Sequence, residues 1–147
     1  YSVSEKFFVN RALYKISSPK RGDVIVFKTS ASDSAALHIR RVIGLPGETV
    51  QIKDGKIYIN GKVYEENGAY QDMTDGGLAN SAITLESGEY FVLGDNRNNS
   101  EDSRFSDIGN ISKWEYLFID VEGFLAKYII GKVWFTVSPK NKIGFIK

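Results

Sequence analysis

This sequence predicts a mostly β architecture, either folded antiparallel sheets or a partly open barrel. Three observations carry the prediction. Short runs of β-branched and aromatic residues are broken by turn formers roughly every eight to twelve residues. Almost no segment repeats its apolar residues at the helical period. Asp54-Gly55 also sits between Thr49-Val50-Gln51-Ile52 and Lys56-Ile57-Tyr58-Ile59, a strong signal for a two-residue hairpin.

Taken in order, Phe7-Phe8-Val9 reads as a strand running into a short turn or helix at Arg11-Ala12-Leu13-Tyr14. Pro19 to Asp23 is a turn, and Val24-Ile25-Val26-Phe27 is apolar throughout, the pattern of a strand buried on both faces. Small polar residues from Ser30 to Ala36 form a hairpin loop. The strand Leu37 to Ile43 follows and ends at Gly44-Leu45-Pro46-Gly47-Glu48. Within it His38 and Arg40 project to one face and Leu37, Ile39 and Arg41 to the other. After the Asp54-Gly55 hairpin, Asn60-Gly61 turns the chain into Lys62-Val63-Tyr64. Residues 65–82 are polar and Gly-rich with a lone Met73, and read as a long exposed excursion. Glu86 to Glu89 turns into a buried strand, Tyr90-Phe91-Val92-Leu93, and Val133 to Val137 forms a last strand closed by Ser138-Pro139.

Composition narrows the function classes. At 147 residues the chain is one domain, 1–147, with enough length for a real core. A formal charge of +1 gives no electrostatic case for binding nucleic acid. The absence of cysteine excludes disulfides and thiol chemistry, and a single histidine argues against a zinc site, so no metal or cofactor is expected. No apolar run approaches the roughly 18 residues of a spanning helix. The chain opens in mid-pattern at Tyr1, without Met, and so reads as a fragment.

The densest chemistry lies in Gly94-Asp95-Asn96-Arg97-Asn98-Asn99-Ser100-Glu101-Asp102-Ser103-Arg104. These residues hold three acids, two arginines, two serines and three asparagines, with no apolar side chain. A surface turn needs glycine and asparagine but not this many pairable groups. Alternating Asp and Arg can form bidentate ion pairs that make a loop rigid and leave a serine hydroxyl to orient something else. A solvated loop with incidental charges is the plain alternative.

Three motifs in order, PKRGDVIVF (Pro19–Phe27), RRVIGLPGE (Arg40–Glu48) and GDNRNNSEDSR (Gly94–Arg104), closely resemble type I signal peptidases. These are membrane-anchored serine endopeptidases that remove signal peptides from exported proteins. The likeness returns at YIIGKVWF (Tyr128–Phe135). It implies a mostly β catalytic domain outside the cytoplasmic membrane, anchored by one or more N-terminal helices, with exported preproteins and the membrane surface as partners. It also implies a serine–lysine dyad, in which a lysine made neutral by burial takes the serine proton.

The sequence departs from that pattern in three places. The Ser-Met-X-Pro-Thr box that holds the nucleophile is expected just ahead of residue 1, while Ser2 and Ser4 lack its context and read as ordinary surface serines. Arg40 stands where the resemblance puts the lysine, and an arginine stays protonated. His38 shares its face and can titrate, but it lies about 6.6 Å away along the strand and does not match the lysine position. The rest carries over: Ser100 as the serine that bonds the dyad base and so faces Arg40, Asp102 and Arg104 as a pair that fixes the loop, and Asp95 and Arg97 as supports. Leu37, His38 and Ile39 match the strand whose edge binds the extended signal-peptide end, with Ile39 walling the pockets for small residues. The expected function is therefore a signal peptidase domain, inactive as given because the serine box is missing and Arg40 replaces lysine. A natural non-catalytic relative that binds exported proteins as an assembly factor is the alternative.

The third departure is an extra apolar segment at 114–126, which makes the stretch from Arg104 to Gly131 longer than the pattern needs. Its large residues follow neither a strand nor a helix period, so no single buried face accounts for them. The expectation is that it projects and binds a bilayer or a second chain, giving self-association. Deleting Trp114–Ala126 is expected to leave a folded domain of similar thermal midpoint that loses vesicle binding or self-association. A deletion variant that cannot fold would assign the segment to the core.

Overall fold

Glycine-containing tight turns and two-sided apolar strands set the architecture. The structure, a computed structural model, describes residues 6–10, 12–13, 17–29, 36–68, 70–112, 128–138 and 144–145. The strands are β1 (Lys6–Asn10), β2 (Val24–Thr29), β3 (Ala36–Gly44), β4 (Thr49–Lys53), β5 (Lys56–Ile59), β6 (Lys62–Val63), β7 (Ile83–Thr84), β8 (Glu89–Leu93), β9 (Ile111–Ser112), β10 (Tyr128–Ser138) and β11 (Gly144–Phe145). A 3₁₀ turn spans Gly77–Asn80, and Leu13 is helical. The expected segment 114–126 and loop residues 30–35 lie outside the described residues.

Seven strands form the larger sheet in the order β1-β10-β2-β3-β8-β9, with β11 beside β10. The second sheet has four strands, β6-β5-β4-β7. Pairing is antiparallel except where β9 meets the start of β10 through Ser112 and Tyr128. That one pairing brings β9 back to β10, so the larger sheet curls on itself, within the folded-sheet or partly open barrel architecture that the strand pattern predicts.

Period-two burial places the core. Val24 and Val26 pack with Val133, while Ile25 and Phe27 pack with Val42, Tyr90 and Val92 on the other face. β8 divides in the same way, because Phe91 and Leu93 face Ile43, Val50, Ile52 and Ile57 between the two sheets. The two β4–β5–β6 turns use the conformations their residues favour: Asp54 and Gly55 have φ of 51° and 76°, and Asn60 and Gly61 have 51° and 77°. Both residues of a type I′ turn need positive φ, so these pairs fix the hairpin register.

The excursion over 65–82 requires a correction. Most of it is exposed, but Met73 and Ala79 are buried in the inter-sheet core. The Met73 N–H donates to the Gly55 carbonyl at 3.2 Å, and the Leu78 N–H to the Arg104 carbonyl at 2.8 Å. It is thus a strap fastened to the hairpin at one point and to the central loop at another. Its polar composition reflects its outer side and hides these anchors.

Gly44 ends β3, beside a register shift in its pairing with β8. A Cβ there would lie 2.5 Å from Val50 Cγ2 and 2.7 Å from Leu85 Cδ1. Close-packed interiors tolerate such overpacking poorly. Gly44→Ala is expected to destabilise the domain by about 1–3 kcal/mol in urea denaturation with unchanged slope. An unshifted midpoint would show that the inter-sheet core yields at this point.

Candidate functional site

The loop from Gly94 to Arg104 is built around one carboxylate. Asp102 is fully buried. Its Oδ1 accepts from Arg104 Nε at 2.8 Å, and its Oδ2 from Arg104 Nη2 at 2.9 Å, so the ion pair is bidentate. Ser100 Oγ donates to Oδ2 at 2.5 Å, the Gly94 N–H donates at 3.1 Å, and the Arg104 N–H reaches Oδ1 at 3.2 Å. Burial pushes the Asp102 carboxyl up, but hydrogen bonds from Arg104, Ser100 and Gly94 outweigh it and hold the carboxyl below its ordinary range. Arg104 also donates from Nη1 to the Asp75 carbonyl (3.0 Å) and from Nη2 to the Arg97 carbonyl (2.5 Å). The loop is thereby tied to the strap and to its own first turn.

Neighbouring residues brace the same loop from outside. Arg97 is buried, donates to the Gly94 carbonyl at 3.0 Å and pairs with Glu66 of the strap. Its guanidinium lies 4.1 Å from the centre of the Tyr70 ring. Asp95 accepts two bonds of 2.8 Å from Arg41 on β3. Ser103 accepts from the Val92 N–H at 2.9 Å, joining the end of the loop to β8.

Arg40 and Ser100 line one open depression of about 790 Å³ with Ile39, Gly94, Phe105 and Ile108. The structure brings these two residues to the same pocket, and the Ser100 hydroxyl donates to Asp102, two residues on. A carboxylate is a stronger acceptor than any group a guanidinium offers, since arginine carries donors only. Arg40 instead donates from Nε to the Glu101 carbonyl and from Nη1 to the Ile39 carbonyl, each at 2.7 Å. Burial lowers its pKa from the ordinary value, opposed by the negative charges of Asp102 and Glu101. His38 stacks on Phe27 with ring centres 5.3 Å apart and 16° between planes. Burial, and then the Arg40 charge, pulls its pKa down, while Glu101 pulls it up.

β3 pairs with β2 from Ala36 to Arg41 but with β8 only from Arg41 onward. Among the described residues no strand covers the other edge of Leu37, His38 and Ile39, and Leu37 is 65% exposed. An open edge beside a pocket can accept an extended peptide by strand addition. The sequence offered no signal for the part played by Glu66 or Tyr70, which lie far from the loop in the chain and meet Arg97 only through the strap. Arg41 could have been paired with Asp95 from the alternation of β3, since its side chain projects opposite to Arg40.

The chain matches the family described as signal peptidase, peptidase S26, over residues 1–137. It is 36% identical to the signal peptidase I of Leptolyngbya laminosa, covering 97% of this chain and 64% of that one. It is 39% identical to a signal peptidase I of Bacillus amyloliquefaciens over 95% of this chain and 69% of the other. The signal peptidase I T of Bacillus subtilis is 38% identical over 68% of this chain, a match spanning 54% of its own length. Among solved structures, a signal peptidase I from Enterococcus faecalis V583 superimposes with a TM-score of 0.51 at 34% identity, covering 66% of this chain and 92% of that one.

Asp102→Ala would strand the buried Arg104 charge and is expected to cost about 3 kcal/mol at neutral pH, read from urea denaturation. The pH dependence has a definite sign. A carboxyl held below its unfolded pKa of about 4 contributes stability above that value, and loses it as pH falls further toward the folded pKa. The stability gap between the unmodified chain and Asp102→Asn should therefore narrow on acidification below about pH 4. A gap constant from pH 7 to pH 3 would show that Asp102 is not the group that titrates.

Proposed function

The chain belongs to the signal peptidase family, peptidase S26, and on that premise we propose that this domain receives the small-residue ends of signal peptides from exported preproteins along the open edge of β3. One observation carries the reading: the uncovered edge at Leu37–Ile39 leads into the depression that Ile39, Arg40 and Ser100 share. Main-chain pairing supplies affinity, and the Ile39 wall selects small side chains. The family implies a position at the outer face of the cytoplasmic membrane. Among the described residues no helix is long and apolar enough to cross a membrane.

The proposed chemistry turns on Arg40. The family's acid–base step needs an amine that is neutral near pH 7, placed to accept the proton of a serine hydroxyl. A guanidinium offers no lone pair for that step. On this reading the domain binds without turning over, and Arg40 is the reason. A second reading, a relative that holds exported proteins without cutting them, draws support from the two carbonyls that grip Arg40. A side chain bonded in this way is part of the wall.

Two measurements separate the readings. The unmodified chain is expected to show no site-specific cleavage of an Ala-X-Ala peptide, and cleavage by it would sink the proposal. Arg40→Lys, combined with a Ser-Met-X-Pro-Thr segment ahead of residue 1, is expected to raise turnover by about a hundredfold or more, the scale of general base catalysis. A folded double variant with no turnover would favour the non-cleaving relative.

A further inference from the structure

Five arginines lie among the described residues, and four meet a carboxylate. Arg21 pairs with Glu48, Arg41 with Asp95, Arg97 with Glu66 and Arg104 with Asp102. Arg40 meets none among the described residues, and its bonds go to the backbone carbonyls of Glu101 and Ile39. A guanidinium has five N–H donors, so three remain after the bonds to Glu101 and Ile39. The side chain is half-buried and lines the depression beside Gly94, Asn96, Asn99 and Ser100. Every other described guanidinium is paired with a carboxylate; among the described residues Arg40 feels the charges of Asp102 and Glu101 without an ion pair of its own, beside the open edge of β3.

We propose that Arg40 marks a site for the C-terminal carboxylate of an extended peptide, and that the groove therefore holds chains that end there more tightly than chains that continue through it. The proposal rests on the reading of the β3 edge as a peptide groove. A peptide lying parallel to β3 brings its C-terminus to Arg40, because β8 takes over the edge from Arg41 onward. The Ile39 carbonyl is already taken by Arg40 itself, so strand pairing has lost an acceptor at this position. A carboxylate is planar and singly charged, which suits the remaining fork of donors. Glu101 and Asp107 also line the depression. Their charges disfavour a dianion such as phosphate and weaken, without cancelling, the pull on a single carboxylate. Ile39 and Phe105 on the same walls give the last side chain an apolar seat.

The test uses the 147-residue chain and two N-terminally fluoresceinated octapeptides of identical sequence ending in Ala-Gln-Ala. One ends in a free carboxylate and the other in a carboxamide, and binding is read by fluorescence anisotropy. The acid is expected to bind about tenfold more tightly than the amide, the scale of a charge-assisted pair in a partly solvated site. Arg40→Gln should erase that difference. Glu101→Gln should tighten the acid several-fold and leave the amide unchanged, and it decides the matter if Arg40→Gln proves unfolded by its thermal midpoint. Equal binding of the two peptides overturns the carboxylate site and leaves the groove standing. Binding of neither overturns both, and an acid preference that survives in folded Arg40→Gln overturns the role of Arg40.

Discussion

The Asp102 carboxylate accepts five hydrogen bonds from three residues, and the candidate site is arranged around that saturation. A carboxylate out of contact with water is tolerable only when its charge and lone pairs are met. Arg104 supplies the opposing charge and then extends outward to the carbonyls of Asp75 and Arg97. Because Gly94 gives its N–H to the same oxygen, the end of β8 is held at a set distance from the end of the loop. A side chain at Gly94 would collide with Ser100, so the close approach also requires glycine. Loss of the carboxylate would therefore release the strand end, the serine and the strap together.

Polar hooks supplement the apolar core in joining the two sheets. Arg21 precedes β2 and pairs with Glu48 just before β4, while also donating to the Ile43 carbonyl at 2.5 Å. Arg97 reaches from the loop to Glu66 across the Tyr70 ring. Exposed ion pairs contribute little to stability, but these are partly or fully removed from water and have fixed geometry. Their consequence is positional: they keep the strap against the back of the loop, so the front of the loop faces the depression.

Against this background of matched charges, Arg40 differs in kind. Its neighbour Arg41, on the opposite face of β3, is fully engaged with Asp95 and the Gly22 carbonyl. Alternation along one strand thus separates a bracing arginine from one that borders the pocket. The bonds of Arg40 go to the carbonyls of Glu101 and Ile39, and it lines the depression. A guanidinium donates hydrogen bonds and accepts none, so Arg40 brings positive charge to the depression without a proton acceptor.

Much of this was legible in the sequence because it depends on local rules. Period-two burial in Val24–Phe27 and Tyr90–Leu93, and the positive-φ turns at Asp54-Gly55 and Asn60-Gly61, follow from residue type and spacing. The dense pairing of Asp102 with Arg104 was equally foreseeable, since the partners are two residues apart. What only the tertiary structure decided involves groups distant in the chain or competing for one partner. Ser100 shares a depression with Arg40, which its position in the loop does not reveal, and its hydroxyl donates to the buried Asp102 carboxylate. Met73 and Ala79 stand in a polar stretch whose composition suggests exposure, yet the close approach of the strap to the β4–β5 hairpin buries them. Glu66 and Tyr70 join Arg97 for the same reason. Sequence determined each element and its faces through short-range sterics and periodicity; which charges met was settled by how those elements fold back on one another, where desolvation makes every unpaired group expensive.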